Sequence, residues 1–356
     1  MKRNWGSPLH SLCSYQGKLK PAIAHNLVQI FSKPGMTVLD PFSGSGTIPY
    51  EAALLGRNSL AFDISDMSVA ISNAKISNCS PQRCVEIIIS LEKYLQTAQV
   101  SKKTLMDSVD VCFNKSIAEY FEEETYQEVL KARDFFILTK DLTNPEWCLV
   151  FSSLLHILHG NRPYALSRRS HPLTPYAPTG DFERKHLTTH LSTKVVKSLE
   201  EKKKTLILEG KCWQSDILSS WEQDVTDVQA IITSPPFVAS TKFYMTNWMR
   251  FWFAGWGKTE FEQSSASFIE VKQRKNIDVY KHIFEKFAQV LSSDGVVVFH
   301  TGKNKSLNMG ETLSELASGI LKVEDLFIEP VDDLERHGLK DKGGTTEHQY
   351  IVMTKI

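Results

Sequence analysis

Two rhythms of apolar and polar residues alternate along this chain. Short β-branched and apolar runs, the length of buried strands, are followed by stretches in which apolar residues recur every three or four positions, as on one face of a helix. An amphipathic helix ending near Ser32 is stopped by Lys33-Pro-Gly35. A strand over Met36–Leu39, a helix over Ile48–Leu55 stopped by Gly56, and a strand over Ser59–Phe62 follow. A helix over Met67–Ser77, capped by Asp66, lines up Met67, Val69, Ala70, Ile71, Ala74 and Ile76 toward a sheet. Strand signals then fade. Helices are predicted over Ile87–Leu95, Thr125–Leu138, Glu146–Leu158 and Arg184–Lys204. This stretch is too long for a loop between two strands, so residues 79–204 read as an inserted, mainly helical subdomain. It separates a first part, 1–78, from a second, 205–356. Strands resume at Thr205–Leu208, Val228–Thr233, Val296–Thr301, Val323–Glu329 and Gln349–Thr354, with helices over Val279–Leu291 and Met309–Ile320. The turn-rich Arg336–Thr346 joins the last two strands. The pattern is that of an α/β fold with a Rossmann-like sheet.

Composition changes this picture little. Acidic and basic residues balance at 41 each, so net charge argues neither for nor against nucleic acid, and any basic footprint is local. The six cysteines, at 13, 79, 84, 112, 148 and 212, form no CxxC pair. That points to reduced thiols in a cytoplasmic protein and to no metal site. No apolar h-region follows Met1, and no apolar run approaches membrane-spanning length, so secretion and membrane insertion are not expected.

Chemistry concentrates in two stretches. The first is Thr37-Val-Leu-Asp-Pro-Phe-Ser-Gly-Ser-Gly-Thr47, a strand, tight loop and helix start. Gly44 and Gly46 permit positive φ and a close backbone approach to a ligand. The helix beginning near Thr47 offers free N–H groups and a positive dipole end. Asp63 stands at the next strand end, where a nucleotide-binding βαβ unit places its ribose acceptor. The spacing is Gly-x-Gly without a third glycine or a Lys-Ser/Thr, so the dinucleotide and P-loop fingerprints both fail. The second stretch is Ala230-Ile-Ile-Thr-Ser-Pro-Pro-Phe237, again a strand that ends in chemistry.

Together, Asp40-Pro41-Phe42-Ser43-Gly44-Ser45-Gly46-Thr47 and Thr233-Ser234-Pro235-Pro236-Phe237 resemble the S-adenosylmethionine-dependent DNA methyltransferases that modify exocyclic amino groups. The resemblance covers most of residues 10–80 and 205–355. It implies a class I methyltransferase sheet, mostly parallel with an antiparallel last strand, and S-adenosyl-L-methionine as cofactor. Tyr15 and Lys18 match the segment that closes over the methionine end of the cofactor, although Gln16-Gly17 stands where many members carry Pro-Ala. Residues 40–47, Asp63 with Ile64, Asp216 and Ser234 match the remaining cofactor positions. DNA is the implied partner, either within a restriction-modification setting, with a cognate restriction endonuclease, or outside one.

The resemblance assigns catalysis to Ser234, Pro235, Pro236 and Phe237. An exocyclic amine is a poor nucleophile because its lone pair is delocalised into the ring. The Ser234 hydroxyl and the Pro235 carbonyl are suited to accept its hydrogens, and two prolines of locked φ pre-aim them. Phe237 offers a face for a base swung out of the duplex. Serine in the first position is more usual for cytosine N4, and Asp or Asn for adenine N6. No Pro-Cys dipeptide occurs, which sets carbon-5 methylation aside. The glycine motif precedes the catalytic motif, the reverse of many cytosine-N4 enzymes. The insert also falls before Asp216, not after it.

Inside the insert, residues 159–180 are rich in Pro, Arg, His and Tyr without apolar periodicity. One reading is a solvated surface excursion. The other is a nucleic-acid contact, with Arg162, Arg168 and Arg169 on phosphates and Tyr164, His171 and Tyr176 stacking on exposed bases. After the catalytic motif, Tyr244 is a candidate for the base pocket, whereas Trp248, Phe251 and Trp252 are spaced as core-facing helix residues. An adenine-N6 enzyme, an RNA guanine-N2 methyltransferase and a non-catalytic nucleic-acid-binding protein on the same scaffold are the alternatives.

Overall fold

The computed structural model describes residues 5–15, 17–170, 177–219, 225–238, 243–304, 307–331 and 345–356. Its elements run α1 Pro21–Phe31, β1 Thr37–Asp40, α2 Thr47–Leu54, β2 Asn58–Asp63 and α3 Asp66–Ile76. Then come α4 Pro81–Thr97, α5 Lys102–Asp110, α6 Glu123–Leu138, α7 Pro145–Leu158 and α8 Leu187–Lys203. The second part holds β3 Lys211–Gln214, β4 Val228–Thr233, α9 Phe243–Thr246, α10 Trp248–Phe253, α11 Lys258–Glu262, α12 Ile269–Lys275 and α13 Val279–Val290. It ends with β5 Leu291–Asn304, α14 Met309–Ala317, β6 Leu321–Pro330 and β7 Thr345–Lys355.

Seven strands form one sheet in the order β3-β2-β1-β4-β5-β7-β6. The first five are mutually parallel, and β7 runs antiparallel to both of its neighbours. The sheet is Rossmann-like and mostly parallel with an antiparallel last strand, as expected. The apolar runs are continuous because both faces are covered. Val38, Ala230, Ile232 and Val298 face α1 and α2, while Leu39, Ile231, Val297 and Phe299 face α13 and α14. On the α1/α2 side, α3 covers β3 and shares a core with α4, α6, α7, α8 and α10. α7 is buried along its length, between α3 and α8.

Three expectations are corrected. Thr205–Leu208 is not a strand: Leu206 is 93% exposed, and β3 begins at Lys211. Gly210 sets that start, because a Cβ there would stand 2.6 Å from the Ser59 carbonyl oxygen of neighbouring β2. The cap of α3 is Ser65, whose side chain accepts the Ser68 N–H, and Asp66 is already inside the helix. Ser292-Ser-Asp-Gly295 is no gap between helix and strand, since β5 starts at Leu291 and carries an irregularity there. Of the turn-rich connection between the last two strands, residues 336–344 lie outside the described residues. Among the described residues, no helix is long and apolar enough to cross a membrane.

Candidate active site

The site lies at the carboxyl ends of β1 and β4, where the strand order reverses direction and open α/β sheets bind ligands. Asp40 ends β1 and is 2% exposed. Its Oδ1 accepts the Phe42 N–H at 3.1 Å and the Thr233 hydroxyl at 2.7 Å, which ties the glycine loop to the residue before Ser234. Burial pushes the Asp40 carboxyl up to about 7, against those two bonds.

The loop is held from below and from the side. Gly44 (φ 52°) and Gly46 (φ 68°) are left-handed, and Gly46 caps α2. The Gly44 N–H donates to Asp63 Oδ2 at 2.8 Å, and the Ser65 N–H to Asp63 Oδ1 at 2.9 Å. Desolvation nevertheless raises Asp63 to about 6. The Ser43 and Ser72 hydroxyls lie 2.7 Å apart, Ser45 Oγ is 3.3 Å from Thr47 Oγ1, and buried Lys75 donates to the Ser45 carbonyl. A Cβ on Gly46 would meet Ser72 Cα at 2.8 Å. Gly46→Ala is therefore expected to destabilise the fold by about 2–4 kcal/mol, from left-handed strain plus overpacking, as a lower urea midpoint at unchanged slope.

The other expected cofactor residues are placed as follows. Tyr15 lies over the loop: its hydroxyl is 3.1 Å from Ser68 Oγ and would stand 3.2 Å from a Cβ on Gly44. Its ring packs on Phe243 at 4.8 Å. Lys18 donates to the His10 carbonyl at 2.8 Å. Ile64 is half-buried, and its carbonyl accepts the Gln214 side chain. Phe42 packs into the α13/α14 core. Asp216, beyond the end of β3, pairs with Lys272 at 2.8 Å.

Ser234 follows β4, and its Oγ is 2.8 Å from Nδ1 of His300 on β5. The Pro236 carbonyl accepts the Gln273 amide at 3.0 Å, and Gln273 in turn accepts the Tyr280 hydroxyl. Phe237 stands edge-on to His300 at 5.3 Å, in room left by Gly302, where a Cβ would meet the ring at 2.8 Å. His300, Gly302 and Gln273 were not anticipated from sequence. The available signal for His300 was its place at the end of the strand paired with the Ser-Pro-Pro-Phe strand, with Thr233 opposite Phe299.

The candidate nucleic-acid residues are partly tied back to the protein. Arg162 donates to His156 Nε2 and to the Tyr164 hydroxyl, both at 2.7 Å. His156 Nδ1 reaches Ser14, next to Tyr15, at 3.4 Å. Arg168 donates to the Glu119 and Gly180 carbonyls and lies over Phe182. Arg169 is exposed. His171 and Tyr176 lie outside the described residues. Tyr244 is buried beside Phe268.

Residues 7–74 match a family model described as DNA methylase. A type II methyltransferase, M.MjaII of Methanocaldococcus jannaschii, is 25% identical over 127 residues, 35% of this chain. The matched stretch spans about a quarter of that relative (24%). Among solved structures, a TehB-like SAM-dependent methyltransferase from Corynebacterium glutamicum aligns over 94% of this chain and 87% of its own, at 10% identity and a TM-score of 0.36. TrmN from Thermus thermophilus aligns over 98% and 52%, at 13% identity and 0.37. The left-handed glycines, the first turn of α2, which no side chain caps, and the two carboxyls suit a ligand with hydroxyls and a cationic centre. The glycine-loop segment is thus similar to a DNA methylase, and S-adenosylmethionine is the cofactor that this likeness and the strand order support.

Proposed function

We propose that this chain methylates an exocyclic amino group of a DNA base swung out of the duplex, with cytosine N4 as the favoured target. The observation that carries the reading is the Thr233–Asp40 bond, which holds Ser-Pro-Pro-Phe against the glycine loop across adjacent strands. S-adenosylmethionine supplies an electrophilic methyl group when bound. The glycine loop, Asp63 and Asp216 hold it. The Ser234 hydroxyl and the Pro235 carbonyl accept the amine hydrogens, and Phe237 stacks on the base. A hydroxyl at position 234, where adenine enzymes more usually carry Asp or Asn, supports cytosine. The helices of 79–204, with exposed Arg162, Tyr164 and Arg169, are assigned to DNA contact.

The test is methyl transfer from labelled S-adenosylmethionine to double-stranded DNA, single-stranded DNA and tRNA, followed by digestion and mass analysis of the nucleosides. N4-methylcytosine from DNA is expected. N6-methyladenine would overturn the base assignment, and label confined to tRNA would overturn the DNA assignment.

Cofactor affinity carries a pH signature. Asp40 and Asp63 titrate near 7 and near 6 in the folded protein. Ribose hydroxyls donating to Asp63 and a sulfonium cation brought near Asp40 both favour the ionised carboxyls, so binding releases protons. Affinity for S-adenosylmethionine rises with pH from about 5 to 8, by at most about tenfold per unit for each carboxyl, and levels off above the higher value. S-adenosylhomocysteine, which is uncharged at sulfur, shows a flatter profile. Calorimetric titration of both ligands from pH 5.5 to 8.5 checks this, and parallel profiles would refute it.

A further inference from the structure

A serine hydroxyl that must accept a hydrogen bond from an amine carries a hydrogen of its own. If that hydrogen points at the amine nitrogen, it competes for the lone pair that has to attack. A carboxylate in the same position has no such difficulty. The hydrogen of Ser234 therefore needs a fixed acceptor on the side away from the base.

His300 stands where that acceptor is needed. It is 2% exposed, and its Nδ1 lies 2.8 Å from Ser234 Oγ. Its Nε2 lies 3.1 Å from Nδ1 of His348 on β7. The ring is confined by Tyr350, stacked at 4.9 Å, by His348 at 5.1 Å and by Phe237 edge-on at 5.3 Å. Burial first, then His348 and Lys20, hold His300 far below the usual imidazole range, at about 3. It is neutral at working pH, with one nitrogen donating and the other accepting.

We propose that His300 is a positioning residue for methyl transfer: its Nδ1 accepts the Ser234 hydroxyl hydrogen and its Nε2–H donates to His348, so that Ser234 presents only lone pairs to the target amine. The proposal rests on the amino-methylation reading above. No proton changes hands along the chain, which fixes the orientation of one hydroxyl. The opposite tautomer would place a hydrogen from Nδ1 on Ser234 and free the hydroxyl to donate toward the base.

Asparagine and leucine are nearly equal in size, and only asparagine can return an acceptor near the Nδ1 position. In the full chain, with labelled S-adenosylmethionine and unmodified genomic DNA, His300→Leu should lower kcat by about 30-fold or more while KM for DNA and cofactor Kd stay within about threefold. His300→Asn should recover to within about fivefold of the unaltered protein. Full kcat in His300→Leu, or no recovery in His300→Asn, would overturn the proposal. A second measurement does not depend on turnover. Nitrogen-15 spectra of the imidazoles should show His300 as the Nε2–H tautomer, with an Nδ1 shift that changes in Ser234→Ala. An Nδ1–H tautomer would overturn the proposal. Failure of the unaltered protein to methylate any nucleic acid, with the Nε2–H tautomer present, would refute the amino-methylation reading and leave the hydrogen-bond chain standing.

Discussion

On the proposed amino-methylation, Ser234→Ala is expected to lower methyl transfer to DNA by about 10²–10³-fold, the loss found when one pre-aimed polar group is removed from a reacting centre. The cofactor Kd changes by less than about twofold, because the loop contacts at Asp40, Gly44 and Asp63 do not involve the Ser234 side chain. The fold survives, since the cost is one side-chain hydrogen bond of about 1 kcal/mol and a partly unpaired His300 Nδ1. Rapid-quench single turnovers separate these effects: the chemical step slows while ligand-induced thermal stabilisation persists. A Ser234→Ala protein that turns over normally would remove the hydroxyl from the mechanism.

Arg133→Met destabilises the protein by about 3–5 kcal/mol, the range for breaking one side of a buried ion pair. Arg133 on α6 is fully buried. Its guanidinium donates to Asp107 at 2.6 Å, to the Thr104 hydroxyl, and to the carbonyl of Trp252 at 2.8 Å. It thereby joins α5, α6 and the segment that follows Ser-Pro-Pro-Phe. Met keeps most of the stem but leaves Asp107 without its buried cation. Lys103 also reaches Asp107 but is 64% exposed, so Lys103→Ala costs less than about 1 kcal/mol. Adding Asp107→Leu to Arg133→Met should recover part of the loss, because the uncompensated charge is gone. Chemical denaturation of the unaltered protein, Arg133→Met, Lys103→Ala, Asp107→Leu and the double variant reads these differences, and additive losses in the double variant would sink the ion-pair account.

The strands nearest the site were the most legible from sequence. The bounds of Val228–Thr233 are legible to the residue, since a strand buried at every position but Gln229, between polar flanks, has one reading. The glycine loop was legible because few residues other than glycine tolerate left-handed backbone, and two stand close together. What escaped was set by partners remote in sequence. α5 buries Thr104, Asp107 and Ser108 while Leu105, Met106 and Val109 face outward, so its apolar periodicity points the wrong way. Its polar side is satisfied by Arg133 and Asp134 of α6, about one helix further along the chain. The polar chain from Ser234 through His300 to His348 was equally hidden, because β5 and β7 become neighbours only in the finished sheet.

The placing of β7 has a consequence for cooperativity. It follows β5 and β6 in the chain, yet it sits between them and supplies His348. Without it β5 and β6 share no partner, and the edges they turn toward each other stay open. Pairing of β7 closes both edges and sets His348 behind His300 in one event. Local opening of β7 would therefore loosen the support behind Ser234 while the glycine loop, on β1, keeps its own contacts: one half of the site can breathe without the other.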